Sequence, residues 1–200
     1  MNSLHEILKV THPNNPIADF ERIADHILNK CILRVGNKSY RICSIEFYYQ
    51  QEKHLDKAAH AHQRQLSCGE WYFHGSGLDI TFGNETEYGG ILIQAIKEIE
   101  EPFRFIAGPL KTVTTIFENF GAVSNRQISF GLDLFEHSEE EIISAPRVGL
   151  NQETVGESFD KGYRFLIFPK EAHARKIDII NHLVNSNKMT KNEAEARIYK

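Results

Sequence analysis

The chain lacks paired cysteines, long apolar runs and a basic excess, and each absence removes a class of protein. Its three cysteines, Cys31, Cys43 and Cys68, form neither a C-x-x-C pair nor an even set. That disfavours a disulfide framework and a structural zinc knuckle, leaving buried, reduced thiols. The longest apolar stretch, residues 91–96, is interrupted by Gln94, and residues 1–15 carry charge without a signal-type apolar core. The sequence therefore predicts an intracellular, cytoplasmic protein with no membrane partner. A formal net charge of −4 argues against non-specific coating of nucleic acid, which needs a broad basic face. Lys53, Lys57 and Arg64 form one local basic cluster, and Lys161, Arg164, Lys170, Arg175 and Lys176 another. Such charges are ordinarily solvated surface. There is no internal repeat, low-complexity tract or Pro/Ser-rich linker. With 200 residues and 41% apolar content, one domain with a real core is expected.

What is present reads as mixed α/β (α+β), with strands outnumbering helices in the middle. Asn15, Pro16 and the spacing of Phe20, Ile23, Ala24, Ile27 and Leu28 predict a helix over residues 16–29. Residues 31–35 and 39–49 read as strands joined through Gly36-Asn37. Period-two alternation in the second puts Tyr40, Ile42, Ser44, Glu46 and Tyr48 on one face. Residues 53–67 are polar and histidine-bearing, a loop or one short helix. Strands follow at 71–74, 78–82, 91–96, 103–107, 128–134 and 163–168, with a helix from Pro109 towards Gly121. Ser138-x-x-Glu141 reads as a capping box opening another helix, and Thr190-x-x-Glu193 as a second. Residues 1–170 form the main domain in this reading. Residues 171–200 form a helical extension packed on it, through the stripe Ile177, Ile180 and Val184.

One constellation carries chemistry. Glu46 lies mid-strand among aromatic residues, where burial and hydrogen bonding can tune a carboxylate for general-base work. Tyr48 stands beside it, Trp71 lies on a strand able to pair nearby, and His60 offers an edge donor, together a place for a flat ligand. The plain alternative is a solvent-facing Glu with half-buried packing aromatics, the usual fate of these residue types. His54, His60 and His62 with Glu52 or Asp56 are too loosely spaced for a metal motif such as H-E-x-x-H, so no metal is assigned.

Ile45-Glu46-Phe47-Tyr48, Asp56-Lys57-Ala58-Ala59-His60-Ala61, Trp71-Tyr72-Phe73-His74-Gly75 and Gly90-Ile91-Leu92-Ile93-Gln94-Ala95-Ile96 follow one another in an informative order. With Ile23-Ala24-Asp25-His26-Ile27-Leu28 upstream and Gly108-Pro109-Leu110-Lys111, Arg147-Val148-Gly149-Leu150 and Tyr163-Arg164-Phe165 downstream, the chain resembles the methylpurine (3-methyladenine) DNA glycosylase family over roughly residues 17 to 168. The resemblance implies a curved, mainly antiparallel sheet with peripheral helices. It further implies a monomer that needs no cofactor, flips a damaged purine out of duplex DNA and hydrolyses its bond to the sugar. Flipping costs a few kcal/mol, and base–aromatic stacking returns about 1–3 kcal/mol per base.

By the same resemblance Glu46 is the general base and Gln94 its catalytic neighbour. Tyr48, His60, Trp71 and Thr81 form the base pocket, His74 intercalates, Arg164 contacts DNA, and Arg147 contacts DNA phosphate or braces the pocket floor. Three of these depart from the family pattern: His74 stands for a wedging tyrosine, Thr81 for a guanine-rejecting asparagine, and Gln94 for an arginine that holds the attacking water. Gln94 can donate a hydrogen bond but brings no charge to a developing ionic centre. The alternative function is a binding protein that keeps the pocket for a base, nucleotide or unpaired strand without cleaving it.

Overall fold

The structure is a computed structural model describing residues 4–124 and 126–199. The domain segments expected above at 1–170 and 171–200 therefore include residues 1–3, 125 and 200, which lie outside the described residues.

A short helix α1 (Leu4–Leu8) precedes α2 (Ile17–Lys30), whose apolar stripe buries Phe20, Ile23, Ala24, Ile27 and Leu28 completely. The strands are β1 (Cys31–Val35), β2 (Lys38–Gln50), β3 (Cys68–His74), β4 (Gly77–Phe82), β5 (Tyr88–Glu98) and β6 (Phe105–Ala107). After α3 (Pro109–Glu118) come β7 (Phe130–Leu134), β8 (Ile143–Ala145), α4 (Gln152–Val155) and β9 (Arg164–Leu166). Two helices, α5 (Lys176–Asn185) and α6 (Lys191–Tyr199), end the described chain.

These strands build one curved, antiparallel half-barrel in the order β3-β4-β5-β2-β1-β7, with β6 on β5 and β9 between β2 and β8. The long strands β2 and β5 form its spine. An irregularity at Ser44 interrupts their ladder, as bulges do where a sheet bends. The fold is thus a single α+β domain with peripheral helices.

The two faces of β2 have separate fates. Ile45, Phe47 and Tyr49 meet α2, where Phe20 stacks on Phe47 with ring centroids 4.4 Å apart and meets Tyr49 and Tyr163 edge-on. Ser44, Glu46 and Tyr48 point the other way, as strand alternation requires. A second apolar cluster joins Ile143, Ala145 and Leu166 of β8 and β9 to Ile179, Ile180, Leu183, Ala194 and Ile198 of α5 and α6. Thr190 caps α6 by exchanging hydrogen bonds with Glu193.

The helix expected from Ser138-x-x-Glu141 does not form. Asn29, at the end of α2, brackets Glu140 by donating to its carbonyl and accepting from its N–H, while Arg41 donates to the Ser138 carbonyl. Those tertiary bonds hold the backbone open, and the Ser138 hydroxyl turns to the Glu140 carboxylate instead of capping. None of the helices described is long and apolar enough to cross a membrane.

Candidate active site

Ladder register lines up a row of side chains across five strands. Tyr72 of β3 pairs with Asp79 of β4, Asp79 with Leu92 of β5, Leu92 with Glu46 of β2, and Glu46 with Arg164 of β9. Directly paired residues share a face, so this row carries two carboxylates with Leu92 between them. Above it opens a cavity of about 470 Å³, a size typical of small-molecule sites. Tyr48, His60, His74, Asp79, Leu92 and Gln94 line it together with Pro109 and the loop Val148–Gly149–Leu150.

Glu46 is 0% exposed. Its Oε2 accepts from the Tyr48 hydroxyl and its Oε1 from the Val148 N–H, each at 2.8 Å, and the Gln94 amide is a near neighbour that favours the charged form. Burial pushes the carboxyl above its ordinary range, against the pull of the neighbouring Arg164 guanidinium and of these donors. The carboxylate therefore lies just beneath the cavity wall formed by Tyr48, Gln94 and Val148, held by neutral donors. Arg164 spends its own donors on Ser44 Oγ and the Ala174 carbonyl.

The facing wall is a network. Asp79, 2% exposed, accepts from His74 Nε2 and from Gln65 Nε2, each at 3.0 Å. The Ser76 N–H donates to His74 Nδ1, which places the imidazole proton on Nε2. His60 meets His74 edge-on at 4.7 Å, and Tyr72 stacks with His62 at 4.8 Å. Burial and the adjacent His74 depress the basicity of His60.

Of the residues singled out in the sequence, Glu46, Tyr48, His60 and Gln94 come together here. Others do not. Trp71 lies on the opposite face of β3, its ring 4.6 Å from Phe130 and its edge against a separate small hollow with Leu4 and Leu132. Tyr72 and His74 alternate with it and take the cavity side. His74 is no wedge, because its side chain is only 9% exposed and tied to Asp79. Thr81 shares the inner face but is sealed: its hydroxyl accepts from the Glu70 N–H and meets Ser67 Oγ.

Arg147 forms a fully buried ion pair with Asp56 at 2.6 and 2.9 Å and lies over the Tyr48 ring, so it braces the site from within. Arg164 is also internal. Neither can reach a DNA backbone from the surface. His54 bonds the Tyr49 carbonyl and the Tyr163 hydroxyl, and among the described residues no three His, Cys, Asp or Glu side chains converge as a metal would need.

Asp79, Gln65 and Val148 escaped sequence reasoning. Asp79 had a signal, since it alternates with Leu78 and Ile80 inside a strand as Glu46 does inside β2. Val148 had none, because its contribution is a backbone N–H.

Fold and site together define an α+β half-barrel protein with a buried carboxylate beneath a cavity walled in part by aromatic rings. No protein-family model matches the chain. It is 30% identical to the protein named Uncharacterized protein L759 of Acanthamoeba polyphaga mimivirus, across 78% of this chain and 89% of the viral protein, and it belongs to the same family as that protein.

Proposed function

We propose that the protein is a monofunctional base-excising hydrolase of the methylpurine DNA glycosylase type, acting on a flipped-out purine in damaged duplex DNA. The observation that carries this reading is the environment of Glu46. A wholly buried carboxyl, lifted towards neutrality and gripped by Tyr48 and Val148 rather than by an ion pair, is costly to keep for structure alone. It adjoins a cavity large enough for a base and walled by Tyr48, His60 and His74.

In the reaction a water admitted beside Glu46 attacks the anomeric carbon. Its proton passes to the carboxylate, and the electron pair of the broken glycosidic bond stays on the departing nitrogen. Tyr48 and Val148 orient the carboxylate, Gln94 offers an amide to the water, and positioned general-base help is worth about 10²–10⁴ in rate. The direct test measures release of methylated purines, hypoxanthine or ethenoadenine from duplex oligonucleotides. Wild type is expected to release one of them and Glu46→Gln to lose about 10²–10⁴ of that rate. No release of any base by wild type rejects the proposal.

One observation favours a second reading, a protein that holds a base without cleaving it. Both oxygens of Glu46 already accept hydrogen bonds from the protein, and Gln94 brings no charge. Under that reading Glu46→Gln leaves base binding intact and wild type releases nothing.

A further inference from the structure

We propose that Asp79 sets which base the cavity accepts, selecting purines whose edge carries N–H donors. The inference rests on the base-pocket reading above and deepens it. Neighbouring strands lie about 4.8 Å apart, so Asp79 and Glu46, separated by β5, stand roughly 10 Å apart across the cavity. Leu92 fills the floor between them. A flat bicyclic base laid over Leu92 thus presents one edge towards Glu46 and another towards Asp79.

The facing groups differ in what they tolerate. Leu92, Pro109, Val148 and Leu150 give shape without polarity. An amide such as Gln94 turns to offer either its oxygen or its NH₂. An ionised carboxylate only accepts, and each Asp79 oxygen keeps a lone pair beyond the one given to His74 or Gln65. Those two donors fix the carboxylate, so it cannot swing away from an unsuitable edge. Gly90 makes room for the arrangement: a Cβ there would lie 2.5 Å from both Asp79 Oδ2 and Gln65 Nε2. An amino group meeting Asp79 gains a charge-assisted hydrogen bond, whereas a bare ring edge strips the carboxylate of water and returns nothing.

The test is equilibrium binding to the full chain of three bases that carry no leaving sugar, followed by titration calorimetry and by histidine ring resonances. These are 9-methyladenine, 9-methylguanine and 9-methylpurine, the last lacking any amino group. In wild type the two amino-bearing bases are expected to bind about 10- to 100-fold more tightly than 9-methylpurine, the ratio a hydrogen bond to a charged group commonly supplies. Asp79→Asn is expected to level the three affinities. If 9-methylpurine binds wild type as tightly as 9-methyladenine, the role of Asp79 is overturned while the pocket reading stands. If none of them binds, or if binding survives Tyr48→Ala undiminished, both fall. The wild-type comparison decides the matter even where Asp79→Asn does not fold.

Discussion

Asp56 and Glu46 are both buried carboxylates, and the protein treats them in opposite ways. Asp56 is matched bidentately by Arg147 and accepts further bonds from the backbone N–H groups of Tyr49 and Ala58. Its charge is neutralised in place, the usual solution for a structural ion. Glu46 has a guanidinium for a neighbour, yet Arg164 is turned to Ser44 and Ala174, and neutral donors hold the carboxylate. The contrast teaches that burial alone does not mark a functional acid. What marks it is burial without a dedicated counter-ion, next to space a ligand can enter.

That contrast can be broken most forcefully at Arg147. Truncating it to Ala strands Asp56 as an unpaired buried charge and is expected to cost about 3–5 kcal/mol in urea denaturation. A smaller loss would mean that Asp56 is no more committed to the scaffold than Glu46. Trp71→Ala comes next. Removing a half-buried indole packed on Phe130 should cost about 2 kcal/mol while leaving 9-methyladenine affinity unchanged. Loss of base binding at full stability would return Trp71 to the pocket wall.

Glu46→Gln sharpens the comparison with an effect of the opposite sign. Because the folded carboxyl titrates above its ordinary value of 4.5, the folded state holds the proton after the unfolded chain has released it. The contribution of Glu46 to stability is therefore complete below pH 4.5 and lost as pH rises through the folded value. Glu46→Gln should match wild type at pH 4 and exceed it at pH 7, and a variant less stable at pH 7 would show the carboxylate to be a scaffold ion. The smallest effect is expected at Thr81→Val, which removes the acceptor for the Glu70 N–H. That should cost about 0.5–1.5 kcal/mol and leave binding alone, as a chemical-denaturation and titration pair would register.

How much of this was legible in the sequence depended on periodicity. The stripe of α2 is regular, and so is β2 beyond Ser44, so the common face of Glu46 and Tyr48 followed from counting by twos. The irregularity at Ser44 breaks the longer face expected from Tyr40, and Tyr40 and Ile42 join Ile45, Phe47 and Tyr49 in the main core. The same rule at β3 could not say which of its faces lies inside. Trp71 and His74 are three apart, an odd number, and a strand puts such residues on opposite faces. The resemblance implied Trp71 inside and His74 outside, but the Tyr72–Asp79 register sets the reverse. Residues 138–141 show a different limit. Local capping chemistry was present, and side chains from α2 and β2 outcompeted it. For Arg147 the sequence left phosphate contact and a brace of the pocket floor both open, because its partner Asp56 lies far off in sequence with no pattern to join them.

The five-strand row also governs how the protein can vary. Its members meet because of hydrogen-bond pairing, so a single residue inserted into β5 just ahead of Ile91 would turn Ile91 into the gap between the acids and Leu92 into the main apolar core. Length changes by even steps preserve the inside–outside order, whereas odd ones invert it. Relatives that retain this cavity should therefore concentrate insertions and deletions in the connecting loops and spare β4, β5 and the middle of β2.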